Sequence, residues 1–202
     1  PSEGLPYTIL VFSGLLPWNL FAASVSGAGT SMVVNRNLVT KIYFPRVIVP
    51  MAKVFESLLD FFISCVILIA MMLFYKIIPG RAIIIFPLLV LWAVVLSLGV
   101  GFWLSALNVK YRDVTYATPF LIQIWLYVSP IAYSLTLIPE KWRLLYFFNP
   151  MVGIIESFRW VLFGKGPDLF VLVPVSLIVT AVVFISGFVY FCATEKNFAD
   201  II

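Results

Sequence analysis

Long stretches without a single charged side chain constrain this chain more than any motif it contains. Residues 4–35, 82–109, 114–139 and 169–194 hold no Asp, Glu, Lys or Arg, and a bilayer core about 30 Å thick needs roughly 20 consecutive apolar residues per helix. A fifth run, 61–75, is shorter and extends back towards Met51. The sequence therefore predicts an all-α, polytopic membrane protein with five spanning helices joined by brief loops. Composition agrees. Hydrophobic residues make up 63% and charged residues 11%, against about 45–50% and 25% in soluble domains, and the mean hydropathy is +1.11. The first run does not read as a secretory leader, because no basic segment precedes it and it outlasts an ordinary leader core.

The charge that remains sits in the connections. With residues 35–53 placed inside, the inner segments carry Arg36, Lys41, Arg46, Lys53, Lys110, Arg112 and Lys196; the opposite side carries Lys76, Arg81, Lys141, Arg143, Arg159 and Lys165. Four of the opposite charges fall in the longer segment 140–167, and short loops weigh most in the positive-inside rule. This orientation puts the first residue outside and the last inside. A net charge of +4 without a dense basic cluster offers nothing for nucleic acid. Cys65 and Cys192 both fall within apolar runs, where packing is their expected role. Histidine is absent, which removes His-dependent triads and imidazole metal ligands. No GxxxxGK[ST] phosphate loop occurs, so the chain has no means of hydrolysing ATP unaided, and neither a catalytic nor a metal site is expected.

Residues 35–46 read NRNLVTKIYFPR, a basic interruption between apolar runs. Leu38 and Ile42 would share one face of a short helix that Pro45 terminates, with Arg36, Lys41 and Arg46 as its polar rim. Such a helix suits docking into a partner's groove, although composition alone favours a loop that snorkels its basic residues to the headgroups. The small residues of 22–31, and Ser97, Gly101 and Ser105 at intervals of four, suggest packing seams between helices. Pro17 should kink the first span.

Between the fourth and last spans, PEKWRLLYFF precedes NPMVGIIESFRWVLFG. Asn149 can cap a helix, Pro150 suits its first position and Gly164 the residue after its end. About 14 residues rise only about 21 Å, too short to cross. The pair forms a helical hairpin at the outer surface, either dipping in as a lid or lying flat with Trp142 and Trp160 as anchors. Glu156 and Arg159, at i and i+3, would be a gate latch or a surface ion pair, and Lys53, Glu56 and Asp60 a network at the inner end of the second span. Within the spans, Trp18, Phe21, Trp125, Tyr127 and Tyr133 combine apolar area with polar handles. They fit a sliding surface for sugar rings as well as ordinary packing.

Taken in order, GLLPWNLF, NRNLVTKIYFPRVIVP, LSALNVKYRDV, PFLIQIWLYVSPIAY and IPEKWRLLYFFNPMVGIIESFRWVLFG resemble the permease subunits of bacterial ABC exporters of cell-surface polysaccharide, of the O-antigen and teichoic acid type. The resemblance covers essentially all of residues 1–202 as one transmembrane domain, lacking the family's amphipathic N-terminal helix and first span; six spans are expected in full. It implies a homodimer in the bacterial cytoplasmic membrane, working with two ATPase subunits that hold the ATP and Mg, and no cofactor in this chain. Asn35, Arg36, Asn37, Leu38, Lys41, Ile42, Tyr43, Phe44, Pro45 and Arg46 would form the ATPase-coupling helix. Trp142, Arg143, Asn149, Pro150, Glu156, Arg159 and Trp160 would belong to the outer gate helices, and the five span aromatics to a channel for lipid-linked glycan among membrane lipids. Export of a small drug or lipid is the alternative.

Overall fold

A computed structural model describes residues 6–41, 44–133, 135, 138–164 and 169–198. Eight α-helices occur among them: α1 (Tyr7–Val34), α2 (Arg36–Lys41), α3 (Ile48–Phe74), α4 (Phe86–Lys110), α5 (Val114–Val128), α6 (Glu140–Phe147), α7 (Pro150–Phe163) and α8 (Leu169–Thr194). A 3-10 turn, Arg81–Ile85, runs directly into α4. Together with that turn, α1, α3, α4 and α8 are long and apolar enough to cross a membrane.

The span expected over residues 114–139 is helical for only 15 residues, about 22 Å at about 1.5 Å per residue. It stops at Val128 because Pro130 follows. A residue before proline is pushed out of the helical region, and Ser129 sits at φ −92°, ψ 141°. Of the remainder of that run, expected to continue to residue 139, residues 129–133 are non-helical chain.

The central element is α1. It packs against α3, α4, α5 and α7, and Ile9, Leu16, Leu20, Phe21, Val25, Ala28 and Met32 along it are buried. A helix apolar on all sides is a buried helix. By contrast, α3 turns Phe55, Leu59, Phe62, Ile63, Val66 and Ile67 outward, the pattern of a hydrocarbon-facing surface.

Between helices in lipid, close backbone approach replaces the hydrophobic effect as the main attraction. A Cβ on Gly101 would stand 2.8 Å from the Ala28 Cβ, and one on Gly187 only 2.2 Å from the Gly99 carbonyl oxygen. These glycines thus set the α1–α4 and α4–α8 crossings, the first of which joins the two seams expected from the small residues.

The hairpin helix α7 runs between its expected signals. Asn149 accepts from the Met151 amide at 3.1 Å, Pro150 opens the helix, and Gly164 closes it at φ 66°. It does not lie flat. Met151, Val152, Ile154, Ile155 and Phe158 have no exposure, because α7 inserts among α1, α4 and α8. A Cβ on Gly153 would meet Ser176 Oγ at 2.4 Å. Its partner α6 stays at the surface, with Trp142, Leu145 and Phe148 exposed.

Candidate functional site

Two sites lie at opposite ends of α1. The first is built around the broken end of α5. Where a chain leaves helical geometry at membrane depth, its carbonyls need donors from protein, and three successive carbonyls obtain them here from side chains. Arg159 Nη2 donates to the Ile131 oxygen at 2.7 Å, the Tyr7 hydroxyl to that of Ala132 at 3.3 Å, and Arg159 Nη1 to that of Tyr133 at 3.3 Å.

The same guanidinium meets Glu156 Oε1 at 3.0 Å and reaches the Leu10 oxygen in the first turn of α1 at 3.4 Å. A planar fork of five donors suits such divergent acceptors; an ammonium does not. Glu156 and Arg159 are buried, with side-chain exposures of 3% and 6%, so the surface ion pair considered from sequence is corrected: insertion of α7 takes the pair inside. Room for the guanidinium comes from Gly14. A Cβ there would stand 3.1 Å from Arg159 Nη2 and 3.3 Å from the Ile131 oxygen.

Asn149 completes this clamp. Beyond capping α7, its Oδ1 accepts from the Trp125 indole at 2.8 Å and its Nδ2 donates to Ser129 Oγ at 3.1 Å. Arg143 in α6 donates to the Ile138 carbonyl at 3.0 Å. The hairpin, the end of α5 and the start of α1 are therefore joined by one polar network.

At the other end, a single residue, Asn35, separates α1 from α2. Its side-chain amide and its backbone amide both donate to the Ser31 carbonyl, at 2.8 and 3.1 Å, while its own carbonyl accepts from Leu38 and Val39. The apolar residue that anchors α2 is Val39, 3% exposed, in a cluster with Met32, Val49, Phe102, Phe191 and Phe198. Leu38 is 41% exposed. Arg36 and Asn37 are exposed, Phe44 is half-buried and Pro45 exposed; Ile42 and Tyr43 lie outside the described residues, as does Lys165 beyond α7. Arg46 is half-buried and donates to the Glu195 carbonyl, holding the segment after α2 to the chain beyond α8. Nearby, Asn108 Nδ2 donates to the Gly29 carbonyl at 3.0 Å and its Oδ1 accepts from Thr115 at 2.6 Å, tying α1, α4 and α5 together.

The span aromatics divide. Trp18 and Phe21, 4% and 0% exposed, form a packed cluster with Trp125, with ring centroids 5.6 and 5.0 Å apart. Trp18 and Phe21 are enclosed within the chain, Tyr133 is half-buried, and Tyr127 is 71% exposed. On α5, Tyr127 continues a stripe begun by Tyr116 and Phe120, also exposed, and Thr118 is that helix's only buried member among the described residues. The 4-then-7 spacing of Tyr116, Phe120 and Tyr127 was visible in the sequence but is masked there by apolar residues on every side. Tyr7, Gly14 and Asn108 carried no such signal. Lys53 pairs with Glu56 at 2.7 Å while partly exposed, and Asp60 points outward on α3.

The fold and the spans define a multi-pass helical membrane protein. Residues 3–163 match the ABC-2 type transporter family, and the chain belongs to that family. It is 29% identical over 165 residues to the O-antigen export system permease protein RfbA of Myxococcus xanthus, covering 80% of this chain and 64% of that protein. It is 28% identical over 197 residues to the protein of the same name from Klebsiella pneumoniae, covering 97% of this chain and 76% of that protein.

Proposed function

We propose that this chain is the membrane-spanning permease subunit of an ATP-driven exporter that moves lipid-linked polysaccharide across the bacterial cytoplasmic membrane. Two copies would enclose the path, and two separate ATPase subunits would hold the ATP and Mg and act on residues 35–46. Support comes from family membership and from relatives named as O-antigen export permeases.

One observation carries the reading: α1 is held at both ends by the elements that an exporter must coordinate. Its inner end continues through Asn35 into α2, and its outer end receives Arg159 from α7 at the Leu10 carbonyl. A push on exposed Leu38 tilts α1 as a rod about 42 Å long at about 1.5 Å per residue and shifts the carbonyls that Arg159 grips. The hairpin then moves away from the end of α5. The exposed stripe Tyr116, Phe120 and Tyr127 on the loosely packed α5 offers a wall along which sugar rings slide without a fixed hydrogen-bond register.

Leu38→Asp in the full-length protein tests the docking step. Leu38 is solvent-facing, so the permease should accumulate normally. Loss of ATPase co-purification and of surface glycan is the expected result; undiminished assembly and export would refute docking through α2.

A further inference from the structure

A cavity lined by none of the clamp or α5-stripe residues opens between α4, α7 and α8. Its volume is about 530 Å³, and Leu88, Trp92, Trp160, Val173, Leu177 and Ala181 are among the residues lining it. We propose that it is a binding groove for one acyl chain of a phospholipid from the leaflet at the α6–α7 end.

Four observations point to that occupant. The wall is almost wholly apolar, and of its two indoles that of Trp92 already donates from Nε1 to Thr180 Oγ1 at 2.8 Å. The groove opens sideways, since Leu88, Leu91 and Leu177 are exposed beside it, on spans that face hydrocarbon. Along α8 it extends from Leu169 to Ala181, about 18 Å of helix rise, close to the ~15 Å depth of one leaflet in a core about 30 Å thick.

The fourth is polar. Ser157, 4% exposed, lies in the wall, and its Oγ has no hydrogen-bond partner among the described residues. A buried hydroxyl without a partner is costly, and a lipid ester carbonyl is an acceptor of the right kind at that depth, one helical turn from the rim residue Trp160. Exposed Arg81 opens the 3-10 turn that ends at Ile85 in the same wall, placing a cation on the phosphate side. An empty groove forfeits dispersion contacts along its whole wall; a seated chain restores them and braces α7 from the face opposite its clamp.

Photo-crosslinking of the full-length protein in nanodiscs tests this, using a phosphatidylglycerol with a diazirine in its acyl chain and mapping the labelled peptides. Labelling at Val173 to Ala181 should exceed that at Ile63 and Val66, which face lipid on α3, by about tenfold, equivalent to about 1.4 kcal/mol of preference. Ala181→Trp should abolish the excess by filling the groove. Leu88→Trp, at an exposed rim position, should do the same and guards against a folding defect in the first variant. Equal labelling of both faces, or an excess that survives both substitutions, overturns the proposal. Labelling only by a diazirine polyprenyl phosphate, without competition from phosphatidylglycerol, overturns it as well.

Discussion

Replacing Arg159 with Met removes the cation that gathers three helices. Four acceptors lose a donor: Glu156 at 3.0 Å, Ile131 at 2.7 Å, Tyr133 at 3.3 Å and Leu10 at 3.4 Å. Glu156 loses its guanidinium counter-charge in the interior, and breaking a buried pair from one side costs about 3–5 kcal/mol. The Leu10 oxygen retains the Ser13 hydroxyl at 2.8 Å, so its loss adds little. Among the described residues no other donor meets the carbonyls of Ile131 and Tyr133, and each orphaned group adds about 1–3 kcal/mol if the segment cannot turn towards water. The comparison is Glu156→Gln, which keeps an acceptor oxygen for Arg159 and leaves all three carbonyl contacts in place. It leaves the buried guanidinium without its counter-charge, at about the same 3–5 kcal/mol, but orphans no carbonyl. Thermal unfolding of the full-length protein in detergent reads the difference. At about 2–4 °C per kcal/mol for a chain of this size, Arg159→Met should lower Tm by roughly 10 °C or more and by clearly more than Glu156→Gln. Equal shifts, or a larger one for Glu156→Gln, would show that the guanidinium acts only as a counter-ion and that the carbonyl clamp contributes nothing.

Further consequences are simpler to read. Gly187→Leu drives a side chain into the Gly99 carbonyl, and overpacking of about 1–3 kcal/mol or more should separate α4 from α8 and reduce the yield of folded protein. Asn149→Ala removes a cap worth about 1 kcal/mol and also strands the Trp125 indole and the Ser129 hydroxyl. Asn149→Asp, which preserves the acceptor, should retain most of the stability lost in the alanine variant when both are compared by thermal unfolding. Tyr127→Ala, at a 71% exposed position, should leave Tm unchanged and reduce glycan export; a matching loss of stability would make Tyr127 a packing residue instead.

Local signals in the sequence carried different parts of the architecture with unequal success. Apolar runs located every long helix, because the bilayer imposes one length and one polarity on a span. Asn149, Pro150 and Gly164 located α7 to the residue, because capping is local chemistry. The end of α5 at Pro130 was not legible from the proline alone, because Pro17, Pro119 and Pro174 all lie inside helices of this chain; an apolar run does not distinguish a proline that is accommodated from one that ends the helix. What no local pattern contained was depth. Glu156 and Arg159 at i and i+3 look alike at a surface or in a core; the inserted position of α7, fixed by Gly153 against Ser176 and Gly14 against Arg159, buries them. The same holds for α2, where adjacent residues Leu38 and Val39 differ in exposure, 41% against 3%, according to which side faces Met32 and Phe198.

The central claim is that α1 relays movement from residues 35–46 to the hairpin, and a tether at its outer end tests it most directly. Tyr7 and Ala132 are in contact, so cysteines at these two positions, in a full-length protein with Cys65 and Cys192 replaced by Ala, can be joined by a short cleavable bismaleimide. With the ATPase subunits and glycan lipid reconstituted, the account predicts that joining them stops glycan translocation while ATP hydrolysis continues, and that cleaving the linker restores transport. Translocation at an undiminished rate with the tether intact would contradict it.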